Sequence, residues 1–183
     1  MSGTFSTGAS VVDGAVSKDW PSSTYSFEAY PVGTRRTQKA DEVNAANSTH
    51  YGDREWIFVF NDEASTAFAE GDVLFLDSDY ASYHAILSTT TLHVHRVLGV
   101  AGGAIAAGEY GWIVVKGVCE VGAVSSVAQG DRLVSAAAAN ATTLTRDADA
   151  TVDNLGCVFG MALEANGGST GDKITAVISM SVW

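Results

Sequence analysis

Cysteine, proline and positive charge are the scarce components of this 183-residue chain. Two cysteines, Cys119 and Cys157, are too few to frame a disulfide scaffold. Both are expected to be reduced, buried thiols, with a single bridge as the other arrangement that two thiols allow. Ten Lys and Arg stand against 21 Asp and Glu, a net charge of -11. Such a chain repels a phosphate backbone, whose binding depends on basic side chains displacing condensed counterions, so nucleic acid is not an expected partner. No apolar run approaches the ~18 to 20 residues of a membrane span. The opening residues lack the basic, apolar and small-residue succession of a signal peptide, so neither a membrane helix nor a leader is expected. What remains is ordinary globular material: 46% hydrophobic and 17% charged residues, with mean hydropathy +0.13. A chain of this length can bury roughly 70% of its extended surface around one core.

The two prolines, Pro21 and Pro31, both fall in a stretch of distinct character. Residues 1–52 are rich in Ser, Thr, Gly, Ala and Asn and sustain neither a 2.0 nor a 3.6 period, which predicts an extended N-terminal arm. Its few large apolar groups offset little of the entropy lost on ordering. An arm of this kind is ordered most readily by a neighbouring chain, a first pointer to an assembly. Residues 1–54 hold five basic and six acidic side chains, whereas residues 55–183 hold five and fifteen, so arm and body are suited to different surroundings.

From residue 53 to 183 short runs of Val, Ile, Leu, Phe and Trp alternate with Gly, Asp, Asn and Ser, the pattern of strands and tight turns. Strands are predicted at Trp56 to Phe60, Val73 to Leu76, His84 to Leu87, Leu92 to Val100, Gly111 to Val121, Arg132 to Ser135, Thr142 to Thr145, Cys157 to Leu163 and Lys173 to Val182. Asp62 to Glu70 could hold one helical turn. The body also repeats itself, at 70–117 and 129–180. Glu70-Gly-Asp-Val-Leu74, Val97-Leu-Gly-Val-Ala101, Ala107-Gly-Glu109 and Gly111-Trp-Ile-Val-Val115 recur in order. Their counterparts are Gln129-Gly-Asp-Arg-Leu133, Val158-Phe-Gly-Met-Ala162, Thr170-Gly-Asp172 and Ile174-Thr-Ala-Val-Ile178. In Gly followed by an acidic residue, the glycine tolerates positive φ and the carboxylate accepts nearby backbone N–H groups. Gly99 and Gly160 sit inside apolar runs, where glycine marks a bulge, a bend or a close backbone approach. The expected fold is all-β: a small barrel or compact sandwich built from two similar β units, which limits exposed strand edges.

The segments Val97 to Val118, Val127 to Val134 and Val158 to Ala165 resemble the capsid cement, or decoration, proteins of tailed bacteriophages. The likeness lies in an "Ile-Ala-Ala-Gly" rhythm, a Gly-Val strand end, a Gly-Asp turn and a late Gly-x-Ala-Leu-Glu-Ala run. It covers about residues 70 to 180 and leaves residues 1 to 55 aside. The resemblance implies a structural virion protein on the outer surface of an icosahedral head, often a homotrimer. It would bind the major capsid protein and bridge its subunits, without catalysis or a cofactor.

Other constellations are weaker. His93-Val94-His95 places two imidazoles on one face of a strand, with His84 nearby, enough for two or three zinc ligands. No spacing supplies a carboxylate to complete the set, and ordinary surface histidines are the expected reading. Asp77-Ser-Asp79 lacks the glycine and glutamate of a calcium loop. No Gly-x-Ser-x-Gly elbow occurs, and neither cysteine sits in an activating context. Arg35, Arg36 and Lys39 form the one basic cluster, suited to a solvated turn or to an acidic patch of a neighbour. Trp20, Tyr25, Phe27, Tyr30 and Trp183 are large apolar groups outside the main strands, and with those three cations they are the interface candidates. Two other functions fit less well: a head or tail fibre adhesion component, and a small metal-dependent β-barrel enzyme using His84, His93 and His95.

Overall fold

The computed structural model describes residues 24–40, 52–77, 83–87, 97–123, 127–135, 144–146 and 158–180. The elements bounded within them are strands: β1 (Arg35–Gln38), β2 (Arg54–Asn61), β3 (Val73–Leu76), β4 (His84–Ile86), β5 (Val97–Ala101), β6 (Tyr110–Gly122), β7 (Arg132–Ser135), β8 (Leu144–Arg146), β9 (Val158–Ala162) and β10 (Lys173–Ser179). Among the described residues no helix is long and apolar enough to cross a membrane.

Five strands close on themselves. β2 pairs with β6, β6 with β5, β5 with β3 and β3 with β4, all antiparallel, and β4 returns to β2 in parallel through Phe60↔His84 and Asn61↔Ala85. The period-2 alternation of the strands then separates inside from outside. Ile57, Val59, Leu74, Ala85, Leu98, Ala101, Ile113 and Val115 turn inward with Phe68 and Ile105 and form one buried cluster. Trp56, Phe58, Val73, Phe75, Val100, Trp112 and Val114 turn outward into a second cluster, which they share with residues of β6, β7, β9 and β10. Each fully buried side chain of this size contributes about 1.5–3 kcal/mol of transfer free energy, and the closed ring leaves few barrel edges unpaired.

β6 is the spine. Its first half lies in the barrel; at Gly117 (φ 111°) it turns and continues along β10. A Cβ at Gly117 would lie 2.6 Å from the Asp53 carbonyl oxygen, so the crossing admits no side chain. From there β10, β9, β7 and β8 extend the sheet.

These later strands retrace β3 to β6. Asp72 Oδ2 accepts from Ala69 N, and Asp131 Oδ2 from Ala128 N, both at 2.7 Å. Gly71 N donates to the Ala101 carbonyl and Gly130 N to that of Ala162, both at 2.9 Å, while Ala101 N and Ala162 N donate back to Asp72 and Asp131. Gly71 and Gly130 have φ of 91° and 87°. The register slips between Leu74 and Phe75 opposite β5, and between Leu133 and Val134 opposite β9, so each pair carries a bulge beside a glycine. A Cβ on Gly99 would meet the Val114 carbonyl oxygen at 2.8 Å, and one on Gly160 the Val177 oxygen at 2.7 Å. Short strands β4 and β8 take the same place, each antiparallel to the first strand of its set.

Two regions differ from expectation. Asp62 to Glu70 makes no helical turn: Asn61 braces it as a loop, its Nδ2 donating to Thr66 O (3.1 Å) and Ile105 O (2.9 Å) and its Oδ1 accepting from Glu63 N (3.0 Å). Residues 24–40, read from their lack of period as part of an arm, are bonded to the barrel of the same chain through β1 and β2. The predicted strand residues Leu92 to Arg96, Thr142, Thr143, Cys157, Ser181 and Val182 lie outside the described residues; Leu87, Leu163 and Met180 fall just beyond the ends of β4, β9 and β10, and β8 runs on to Arg146.

Candidate interaction surface

The N-terminal cover is built on aromatic contacts. Tyr25 and Tyr110 exchange both backbone hydrogen bonds at 2.9 Å, and Gly33 N donates to Phe58 O while Phe58 N donates to Thr34 O. This anchors a turn over the outer wall of the barrel. Tyr30 sits with its ring centroid 5.4 Å from both Phe58 and Trp112. Arg36 lies over the same rings, 4.7 Å from Tyr30 and 5.1 Å from Trp112, a cation–π arrangement that keeps its charge at the surface. Gly33 (φ 86°) lets the chain pass the Tyr83 ring, which a Cβ there would strike.

The interface candidates therefore part company. Tyr25 and Tyr30 are half-buried against the barrel, and Arg36 lies over Tyr30. Lys39 pairs with Asp53 at 2.8 Å, and that ammonium holds the Asp53 carboxyl below its usual range. Arg35 is exposed at the start of β1. Phe27 is 65% exposed, its ring centroid 6.4 Å from that of Tyr25 in an edge-on arrangement. Trp20 and Trp183 lie outside the described residues.

One further large apolar side chain is exposed among the described residues: Met161, at 43%. It stands in β9 between Arg132 of β7 and Val177 of β10. Arg132 is exposed and Val177 partly so. Sequence reading passed over this trio, yet it carried a signal: Arg132 and Met161 occupy the repeat positions that hold Val73 and Val100 in the first set.

Among the described residues, His84, Cys119 and Lys173 each sit in a structural contact or in the core. His84 Nδ1 lies 3.2 Å from Asp62 Oδ2, with its ring 4.9 Å from Phe60, next to the parallel seam of the barrel; His93 and His95 lie outside the described residues. Among the described residues no three His, Cys, Asp or Glu side chains gather to hold a metal ion. Cys119 is a free thiol, and complete burial pushes its pKa up to about 12, the reverse of an activated nucleophile. Lys173 joins the two strand sets, 2.5 Å from Glu70 and 3.9 Å from Glu120.

Fold and surface together define a small barrel protein extended by a second strand set. The phage cement protein family matches residues 78–178, and the chain belongs to that family. It is a structural protein of the phage virion, associated with the capsid. No curated protein matches the chain. A solved structure, the N base of the head fibre gp8.5 in bacteriophage phi29, is similar to it with 19% identity and a TM-score of 0.46 over 68% of this chain and 94% of that one.

Proposed function

We propose that the protein decorates the outer surface of the assembled head and bridges neighbouring major capsid subunits, as a homotrimer, without catalysis. Membership of the cement family, through a match that spans β4 to most of β10, is the observation that carries this reading. The mechanism is linkage. A protein that binds only the assembled lattice stabilises that state by mass action, and symmetric copies multiply a modest contact energy. Phe27 supports the reading as an aromatic anchor fixed on a bonded turn, since rigid exposed aromatics lose little entropy on docking. Trp20, Arg35, Trp183 and the outward edges of Tyr25, Tyr30, Arg36 and Lys39 remain candidates for the same contact.

The division at residue 52 belongs to this proposal in altered form. Residues 24–40 are bonded to the body, so the deletion that tests an arm stops at residue 23. Heads lacking the protein, incubated with the purified full chain, are expected to take it up to saturation and to rupture at a higher temperature. The 1–23 deletion should weaken uptake while the far-ultraviolet circular dichroism of the free protein stays unchanged. Heads that take up none of the full chain would overturn the reading.

A further inference from the structure

The two strand sets present the same outer face to different surroundings. In the first, Val73, Val100 and Val114 stand directly across from one another on β3, β5 and β6. They are 0–1% exposed, in the cluster that also holds Leu133, Phe159, Ala176 and Ile178 of the second set. That face is a docking face, already used within the chain. Its counterpart in the second set is Arg132, Met161 and Val177, likewise in cross-strand register. Met161 is 43% exposed there and packs in neither core cluster. A cation has replaced one valine, which keeps the bare face soluble and gives it a charge preference.

The chain carries a complement to this face. Phe27 is the other exposed large hydrophobic among the described residues. Glu28, next to it, is exposed. Its Oε1 accepts from Val32 N at 3.0 Å, which fixes the carboxylate beside the aromatic. Phe27-Glu28 offers an aromatic ring and a negative charge; Met161-Arg132 offers a polarizable thioether and a positive one. Sulfur–aromatic contact, cation–π contact and ion pairing all favour that match.

We infer that the Phe27-Glu28 turn of one copy docks on the Arg132-Met161-Val177 face of a second copy of this chain. The contact joins two different patches, so it is heterologous and closes into a ring when the rotation permits. It deepens the homo-oligomer part of the function proposed above and is independent of capsid binding, which separate experiments read.

The test is sedimentation of the full chain across a concentration series. The wild type is expected to associate reversibly. Met161→Glu and Phe27→Ser should each weaken association about tenfold or more, the scale of an anchor residue. Arg132→Glu and Glu28→Lys should each weaken it several-fold, and the double exchange should restore most of the loss. Glu28→Gln keeps the acceptor for Val32 N and controls for damage to the turn, and thermal melting of each free variant controls for folding. A wild type that stays monomeric at all concentrations overturns the inference, as does an oligomer indifferent to all four changes or a double exchange that adds the two losses. Uptake by heads, measured on the same samples, stands or falls separately.

Discussion

Among the described residues the first strand set closes into a ring and the second does not. β4 lies between β3 and β2 and completes a ring; β8, its counterpart, pairs with β7 and ends the sheet among the described residues. The backbone slot that closes the first ring, where Phe60 N donates to Tyr83 O, is filled in the second by Gly122 N donating to Gly71 O. A turn of the first set thus occupies the place where a closing strand would lie in the second. One local design, used twice in a chain, cannot have identical surroundings both times. The first copy gains a fully enclosed interior, and the second gains an outer face open to other molecules. In the function and contact proposed above, the enclosed copy would supply rigidity and the exposed copy surface.

The largest test of this contrast is the pair Leu74→Ala and Leu133→Ala. Both leucines are 0% exposed at matching positions, but Leu74 fills the closed barrel while Leu133 lies in the cluster shared between sets. Truncating a buried leucine costs about 2–5 kcal/mol, more where the site collapses least. Leu74→Ala is expected near the upper end and Leu133→Ala nearer the lower, read from urea unfolding curves with unchanged slope. Equal costs, or a larger cost at Leu133, would remove the distinction between an enclosed and a shared core.

How the fold could be read from sequence follows the same division between local and distant causes. The Gly-acidic turns were legible because glycine with positive φ and a carboxylate three residues from its N–H partner act over one turn. The interior glycines were legible because any side chain there would strike a carbonyl oxygen of the next strand. β1 was not. Four residues carry too little alternation, and what holds them lies farther along the chain: residues 54–57 of β2, the Trp56 indole N–H donating to Gln38, and the Trp112 ring under Arg36. The candidate surface shows the limit most clearly. Tyr25, Phe27 and Tyr30 are one kind of residue in one short stretch, and nothing local says that two lie against the barrel while Phe27 stands clear. What decides it is the Phe58 ring beneath both tyrosines and the Tyr110 backbone paired with Tyr25.

The next contrast is between Gly99→Ala and Gly160→Ala. Each new methyl would meet a carbonyl oxygen below 3.0 Å, and at Gly99 it would also strike Ile113 Cδ1 at 2.6 Å inside the barrel. Overpacking of this kind costs about 1–3 kcal/mol. Gly99→Ala should be the more destabilising, since the second set lets β9 move outward and the closed ring does not let β5. Thermal melts of the two variants give the order directly, and a reversed order would mean that the second set is as constrained as the first.

The smallest expected effect concerns charge at the junction of the two sets. Asp72 lies buried in the first turn, and burial raises its pKa above the usual carboxylate range despite the Ala69 N–H and the attraction of Lys173. With the folded value above the unfolded one, the charged carboxylate costs stability at pH above the folded pKa. That cost falls as the pH drops through the folded value toward the unfolded one, because the folded chain takes up the proton first. Asp72→Asn keeps a side-chain oxygen for Ala69 N and removes the buried charge. The variant is therefore expected to match or slightly exceed the wild type in melting temperature at pH 7, with the difference shrinking on acidification toward the unfolded pKa. A variant markedly less stable at pH 7 would show that the attraction between Asp72 and Lys173 across the junction outweighs the cost of burying the carboxylate, and that the two sets are held together by charge as well as by Val73, Val100 and Val114.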